Sequence, residues 1–378
     1  MGRNFRSVTL ATVVVFWLAW LAQLISTPLL LAGAAAWQRE WDKTLAVASQ
    51  EGKVVVMGPP GEISRKAFSE AFQKAFPKIT VEYSGGWGPA HVPKLVESRK
   101  AGRNIADVYI SGPQPGLQSL KDTGFFQPLE QALILPEIKK PDNWWRGKLD
   151  FIDKEGKFYL AFWAFPVEPF MYNTEKVKVE EIKSWWDLVN PRFNGKIGMY
   201  DPLIPGSMVP KLNHFFHEPM LGERYIQALL SPDFGAVSTR DDRQLAEWVG
   251  RGTYLIGIGA SWLTAAPLTK VLPLQVFPSD KLKEGTLMTS GFGNVALLTG
   301  APNLNAAKVY INWLLSREGQ TEVTRITENP SGRVDVSQEL VPDLLRRRGQ
   351  TQYFMEYYEK VTAGRVKALA VANKVMGR

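Results

Sequence analysis

Three histidines, His91, His214 and His217, are the only imidazoles in the chain, and there is no cysteine. A thiol nucleophile is therefore excluded, and imidazole-based proton transfer would have to run through one of those three rings. His214 and His217 stand one helical turn apart and could share a metal ion. Two ligands at that spacing are a weak signal, and a surface pair on a helix explains them equally well. Neither a Gly-x-Ser-x-Gly elbow nor a phosphate-cradling lysine loop occurs. The residue types that recur instead suit the holding of a small molecule. Gly58-Pro59 and Ser111-Gly112 follow predicted strands, Trp87 sits in Ser84-Gly85-Gly86-Trp87-Gly88-Pro89, and Gly206-Ser207 open a helix.

Each of these has a packing alternative. Gly58-Pro59 and Ser111-Gly112 also read as ordinary turns between strand and helix. Trp87, among glycines, either stacks on a ligand or closes the edge of a domain. Ser207 is also a good helix N-cap. Trp163 and Glu168 lie in the stretch from Phe158 to Asn173, where the first fits hinge packing and the second a paired structural acid. Asp241 and Asp242 could meet a cation but also suit capping, and Ser261-Trp262 follow a predicted strand.

Stepping outward from those residues, the stretch Phe158 to Asn173 is apolar and aromatic but broken by Pro166 and Pro169, too proline-rich for a helix or a fully paired strand. It reads as a connector between two bodies. Before it, an amphipathic helix from Trp37 to Gly52 leads into alternating strands and helices. Strands are expected at 53–57, 79–83 and 106–110, with helices to Phe76 and from His91 to Ala101. That order predicts an α/β body with a parallel sheet. From Asn173 to about Thr289 the pattern repeats, with strands at 197–200, 236–239, 254–258 and 271–277 and a helix at 243–251. Ser290 to Leu297 reads as a second connector, and Asn303 to Leu315 as a helix. From Val341 the tail reads as helical, with Tyr353, Tyr357 and Val361 on one side and Arg346-Arg347-Arg348 on a solvated face.

The 378 residues are 45% hydrophobic and 22% charged, enough for a large core and about two domains. Arg3 and Arg6, a long apolar region from Val8 to Leu31 and Ala32-Gly33-Ala34-Ala35-Ala36 describe a secretory signal peptide. Its apolar part is long enough to serve as an uncleaved anchor instead. Cleavage after Ala36 is the reading taken, because Pro28 and the alanines suit processing. Both readings put the globular part outside the cytoplasmic membrane, and a cysteine-free chain closes the lipoprotein route. The formal charge is +8, and scattered basic residues in an exported chain argue against nucleic acid.

In this order the pieces resemble the bacterial extracellular solute-binding proteins of ABC importers, in the branch holding ferric-ion, thiamine, polyamine and phosphonate binders. The resemblance rests on Ser184-Trp185-Trp186-Asp187-Leu188 followed by Pro191 to Ile197, on Gly293 to Leu297, on Ala301-Pro302-Asn303 leading to Trp313 to Gln320, and on Asn329 to Arg333. It implies a two-lobe, type II periplasmic-binding-protein fold, each lobe a mostly parallel sheet flanked by helices, joined by two crossing segments. The expected division is 1–36 signal peptide or anchor, 37–162 and 290–328 first lobe, 163–289 and 329–378 second lobe. It also implies a monomeric periplasmic receptor without cofactor, which closes on a small organic or anionic solute and docks on a permease. Gly206-Ser207 stand where the family commonly binds an anionic group. Ser261-Trp262 stand where ferric-binding relatives carry adjacent tyrosines, so ferric iron loses its ligands here. Tyr357-Tyr358 lie elsewhere and do not restore them. A membrane-anchored solute-sensing receptor is the alternative on the same fold.

Overall fold

The computed structural model describes residues 36–204, 206–260, 265–348 and 353–377. The expected signal or anchor therefore lies outside the described residues, Ala36 excepted. Among the described residues no helix is long and apolar enough to cross a membrane. A first helix spans 36–51 and lays Trp41 edge-on against Phe76, with ring centres 6.2 Å apart.

Three strands follow in strand–helix alternation: β1 (Lys53–Gly58), β2 (Thr80–Gly85) and β3 (Val108–Ser111). β1 and β3 are apolar on both faces because helices cover both faces of their sheet. The short strands β4 (Phe126–Gln127), β5 (Asp150–Phe151), β6 (Leu160–Ala161) and β7 (Phe165–Pro166) come next. A second body is built on β8 (Met171–Asn173), β9 (Ile197–Tyr200), β10 (Val237–Thr239), β11 (Ile256–Ile258) and β12 (Leu274–Val276). The chain returns through β13 (Thr286–Thr289) to β14 (Asn294–Leu298), and β15 (Tyr353–Met355) is last.

The first sheet runs β2-β1-β3-β14-β6-β5, with β4 also on β14. Its β2-β1-β3 part is parallel, while β14, β6, β5 and β4 pair antiparallel. The second sheet runs β10-β9-β11-β8-β12, parallel across β10-β9-β11 and antiparallel at β8 and β12. The protein is thus a two-lobe α/β molecule of the type II periplasmic-binding-protein class, with mixed sheets built around a parallel triplet in each lobe. Phe68, Phe72, Tyr310 and Trp313 fill the first core and Trp185, Phe215 and Tyr225 the second.

Several expectations need correction. Ser290 to Leu297 is not the second connector. Val295 and Ala296 are fully buried in β14, between β3 and β6, at the centre of the first sheet. The second crossing is β13, which pairs antiparallel with β7 and parallel with β15. Three segments therefore form the joint, where two were expected. The tail is not one helix. Tyr353 lies in β15, and Tyr357 is buried in the first lobe, its hydroxyl donating to Asp150 at 2.6 Å.

Residues 329–336 pack on the first lobe, while Asp343, Leu344 and Arg348 also border Gln275 and Val276 of the second. Ser331 bridges Trp163, and Arg333 bridges Trp144 and pairs with Asp335 at 2.8 Å. The Arg365–Met376 helix packs on the second lobe, against the Met208–His217 and Gly222–Leu230 helices, and Phe354 and Val361 also touch the first of these. Arg347 is not on a solvated helix face: its guanidinium donates to the Ala164 and Ser331 carbonyls at 2.9 and 2.7 Å. Two carbonyls at the start of the joint need donors, and a guanidinium fork supplies both.

Candidate functional site

The strand register shows which edges of the two sheets confront each other. Asn294, the first residue of β14, pairs with Ser111 and with Ala161, the last residues of β3 and β6. Both crossings to the second lobe therefore leave the first sheet at the carboxyl ends of its parallel strands. In the second lobe Met171, the first residue of β8, pairs with Gly257 of β11 and Val276 of β12. The carboxyl ends of β9, β10 and β11 thus lie at that same joint. In open α/β sheets this is the edge where ligands bind, and here two such edges meet across one hinge sheet.

The first wall is made of four loops, and hydrogen bonds hold them closely. The Gly58 carbonyl accepts from Gly86 N at 2.9 Å and meets His91 Nε2 at 3.0 Å, and the Tyr83 hydroxyl donates to the Pro59 carbonyl at 2.6 Å. A Cβ on Gly58 would stand 2.5 Å from Tyr83 Oη, so only glycine fits there. Ser111 is buried, and its carbonyl accepts from the Tyr159 hydroxyl at 2.8 Å and Asn294 Nδ2 at 2.7 Å. Trp87 is 60% exposed and leans on Phe292 with ring centres 5.3 Å apart. Trp163, by contrast, is buried against Phe68 and Phe162, its indole N–H donating to the Ser290 carbonyl. It is packed into the first-lobe core.

The second wall is polar. Gly206 packs on the Tyr200 ring, and the Ser207 hydroxyl donates to the Gly259 carbonyl. Ser207 therefore does not cap its helix with its side chain; its hydroxyl is spent on the carbonyl just after β11. Asp241 is an N-cap, accepting from the backbone N–H groups of Arg243 at 2.8 Å and Gln244 at 3.0 Å. Asp241 lines an open hollow of ≈530 Å³ with Asp201, Ser238, Thr239, Arg240 and Gln244. Arg240 Nε pairs with Asp201 at 3.3 Å, the arginine exposed and the aspartate buried. Ser261 and Trp262 lie outside the described residues.

Between the walls, the Glu168 carbonyl accepts from Lys211 Nζ. Burial pushes the Lys211 ammonium down to about 8, against the opposing pull of the Glu168 charge. One turn on, His214 is buried rather than at the surface, and burial, with the Lys211 charge, pushes its imidazole down to about 3. His214 and His217 both stack on Phe354 of β15, with ring centres 5.3 and 5.9 Å away. His91 is buried under the Gly58 loop. Among the described residues no group of three or more His, Cys, Asp or Glu side chains could hold a metal.

The structure thus brings Gly58, Pro59, Trp87 and Ser111 to one edge and Gly206, Ser207 and Asp241 to the other, with Glu168 in the joint. Sequence reasoning missed Phe292, Asp201, Arg240 and Lys211. Phe292 is flanked by Gly291 and Gly293 as Trp87 is by Gly86 and Gly88, which was the available signal. Lys211 sits at a helical position shared with apolar residues, a signal no spacing rule separates from a surface lysine.

Two α/β lobes with facing carboxyl edges and a strand-built joint define a two-lobed solute-binding protein. The family of bacterial extracellular solute-binding proteins matches residues 67–343, and the chain belongs to it. By that membership it is the substrate-binding component of an ABC transporter. It is 25% identical over 282 residues to a putative 2-aminoethylphosphonate-binding periplasmic protein of Salmonella typhimurium, covering 71% of this chain and 74% of that one. Among solved structures it is similar to the periplasmic binding protein AfuA of Actinobacillus pleuropneumoniae with fructose-6-phosphate bound. There the TM-score is 0.55 at 19% identity, covering 86% and 99% of the two chains. It is also similar to the Trichodesmium protein IdiA, or FutA, in complex with iron and citrate, with TM-score 0.63, 17% identity and coverage of 86% and 99%.

Proposed function

We propose that this chain is a monomeric periplasmic receptor that captures a small organic solute carrying an ionised group between its two walls, without turning it over. The observation that carries the reading is the meeting of two carboxyl sheet edges across β7, β13 and β15. The solute would be gripped by the Gly58-Pro59, Trp87 and Ser111 loops on one side and by Gly206-Ser207, Asp241 and Ser261-Trp262 on the other. Glu168 would lie beneath it. Rotation about the joint would close the walls, and the closed form would deliver the solute to the permease. The named ligands of the relatives, an aminophosphonate and a sugar phosphate, support an ionised small molecule. The absence of adjacent tyrosines at Ser261-Trp262 speaks against bare ferric iron.

The test is a thermal-shift screen of a solute library including 2-aminoethylphosphonate and fructose-6-phosphate, with native mass spectrometry of whatever co-purifies. A ligand at one hundred times its Kd adds about 2.7 kcal/mol of apparent stability. Saturable stabilisation with the solute recovered unchanged is expected. Product formation, or no shift across the library together with no co-purifying solute, overturns the reading.

A further inference from the structure

The two walls differ in charge, and that difference narrows the solute. The first-lobe loops read Gly58-Pro59-Pro60-Gly61, Ser84-Gly85-Gly86-Trp87-Gly88, Ser111-Gly112-Pro113-Gln114 and Ser290-Gly291-Phe292-Gly293, without one ionisable side chain. Charges at their margin are already paired: Glu62, next after Gly61, with Lys66 at 2.7 Å, and Arg365, which touches Gln114 at 3.2 Å, with Glu356. The second wall holds Asp201, Arg240 and Asp241.

What the first wall offers instead is aromatic surface. The Trp87 indole is 60% exposed although it is the first wall's largest side chain. It is propped by Phe292 at a 54° tilt, and Phe292 is itself anchored on the first-lobe core. Phe165 of β7 continues the surface into the joint, its ring packed so close to Gly291 that a Cβ there would stand 3.1 Å away. The indole therefore rests on a fixed aromatic base, free on its outer face. An ionised group pressed against this wall would meet no side-chain counter-charge from these loops, only backbone N–H groups. A flat unsaturated ring would gain dispersion and edge or stacked contact there.

We infer that the solute is a small molecule with a planar aromatic or heteroaromatic ring and one ionised head, the ring lying on Trp87 and Phe292 and the head facing the Asp201–Arg240 side. This rests on the solute-receptor reading and names its substrate class.

The experiment uses matched probes on the full receptor by calorimetry: phenylphosphonate against ethylphosphonate, and benzylamine against propylamine. The ring-bearing member of at least one pair is expected to bind about five- to tenfold more tightly than its alkyl partner. Trp87→Ala should erase that preference, Trp87→Phe should retain most of it, and Phe292→Leu should reduce it. Trp87 is exposed, so the two Trp87 variants should melt within a degree or two of the parent, and circular dichroism checks that they do. Equal affinity within both pairs, no binding by either ring-bearing probe, or an unchanged preference in Trp87→Ala overturns the assignment. Saturable binding of a ringless solute such as 2-aminoethylphosphonate, unaffected by Trp87→Ala, keeps the receptor and removes the aromatic shelf.

Discussion

The two lobes share one plan, a parallel triplet of strands whose carboxyl ends carry the loops, yet they finish those loops differently. In the first lobe the loops are built from glycine, proline, serine and aromatic rings, and what lies beneath is fixed by packing and hydrogen bonds, as between Gly58 and His91. In the second lobe the loops carry acids and an arginine, and beneath them lie two buried ionisable groups on one helix, Lys211 and His214. The same fold therefore produces one wall shaped by packing and another shaped by charge. The first should respond more strongly to steric change, and the second, with His214 held neutral by burial, more strongly to pH.

The largest expected effect attacks the packed wall. A Cβ on Gly293 would fall inside the Trp163 indole, which Phe68 and Phe162 hold in place. Gly293→Ala should cost about 3 kcal/mol in urea unfolding. Gly206→Ala meets the half-buried Tyr200 ring, which can swing outward, and should cost about 1 kcal/mol. Equal costs would break the contrast between a rigid and a yielding wall.

The next effect belongs to the charged side. The folded protein keeps His214 neutral down to about pH 3, while the unfolded chain takes up a proton below its ordinary value. Stability from this group is complete above about pH 6.5 and is lost as pH falls toward 3. At pH 5 the loss should be about 2 kcal/mol. His214→Phe should remove that part of the acid sensitivity, seen as a smaller drop in urea midpoint between pH 7 and pH 5. An identical drop in both proteins would show that carboxylates carry it.

The smallest effect concerns Asp241. As an N-cap it should contribute about 1 kcal/mol, lost in Asp241→Ala and largely kept in Asp241→Asn. If both substitutions also weaken solute binding tenfold, the carboxylate charge belongs to the recognition surface as well as to the helix.

The alternation of all-apolar strands with helices made the α/β lobes legible, because a strand covered on both faces leaves a run such as Val54-Val55-Val56. Pairing partners were not legible. Nothing local in Gly293 to Leu297 distinguishes a connector from a central strand, since its neighbours β3 and β6 are set by distant parts of the chain. The tail misled for a related reason: Tyr353 and Tyr357 keep a helical spacing but are held by β13 and Asp150. At the walls, glycines around Trp87 were informative because an unsupported ring among them needs a reason. Trp163 was ambiguous, and its indole proved to be spent on Ser290. His214 and Lys211 were invisible as buried groups, because one-turn spacing is shared by surface pairs.

β14 lies at the middle of the first sheet, yet Asn294 reaches back across 183 positions to bond Ser111. During synthesis, β1, β2 and β3 are in place long before the partner that links them to β6 has been made. That half of the molecule must wait, with its centre missing, until more than two thirds of the chain has left the ribosome. A domain so interrupted cannot mature from front to back, and its delay leaves the polypeptide threadable for most of its production.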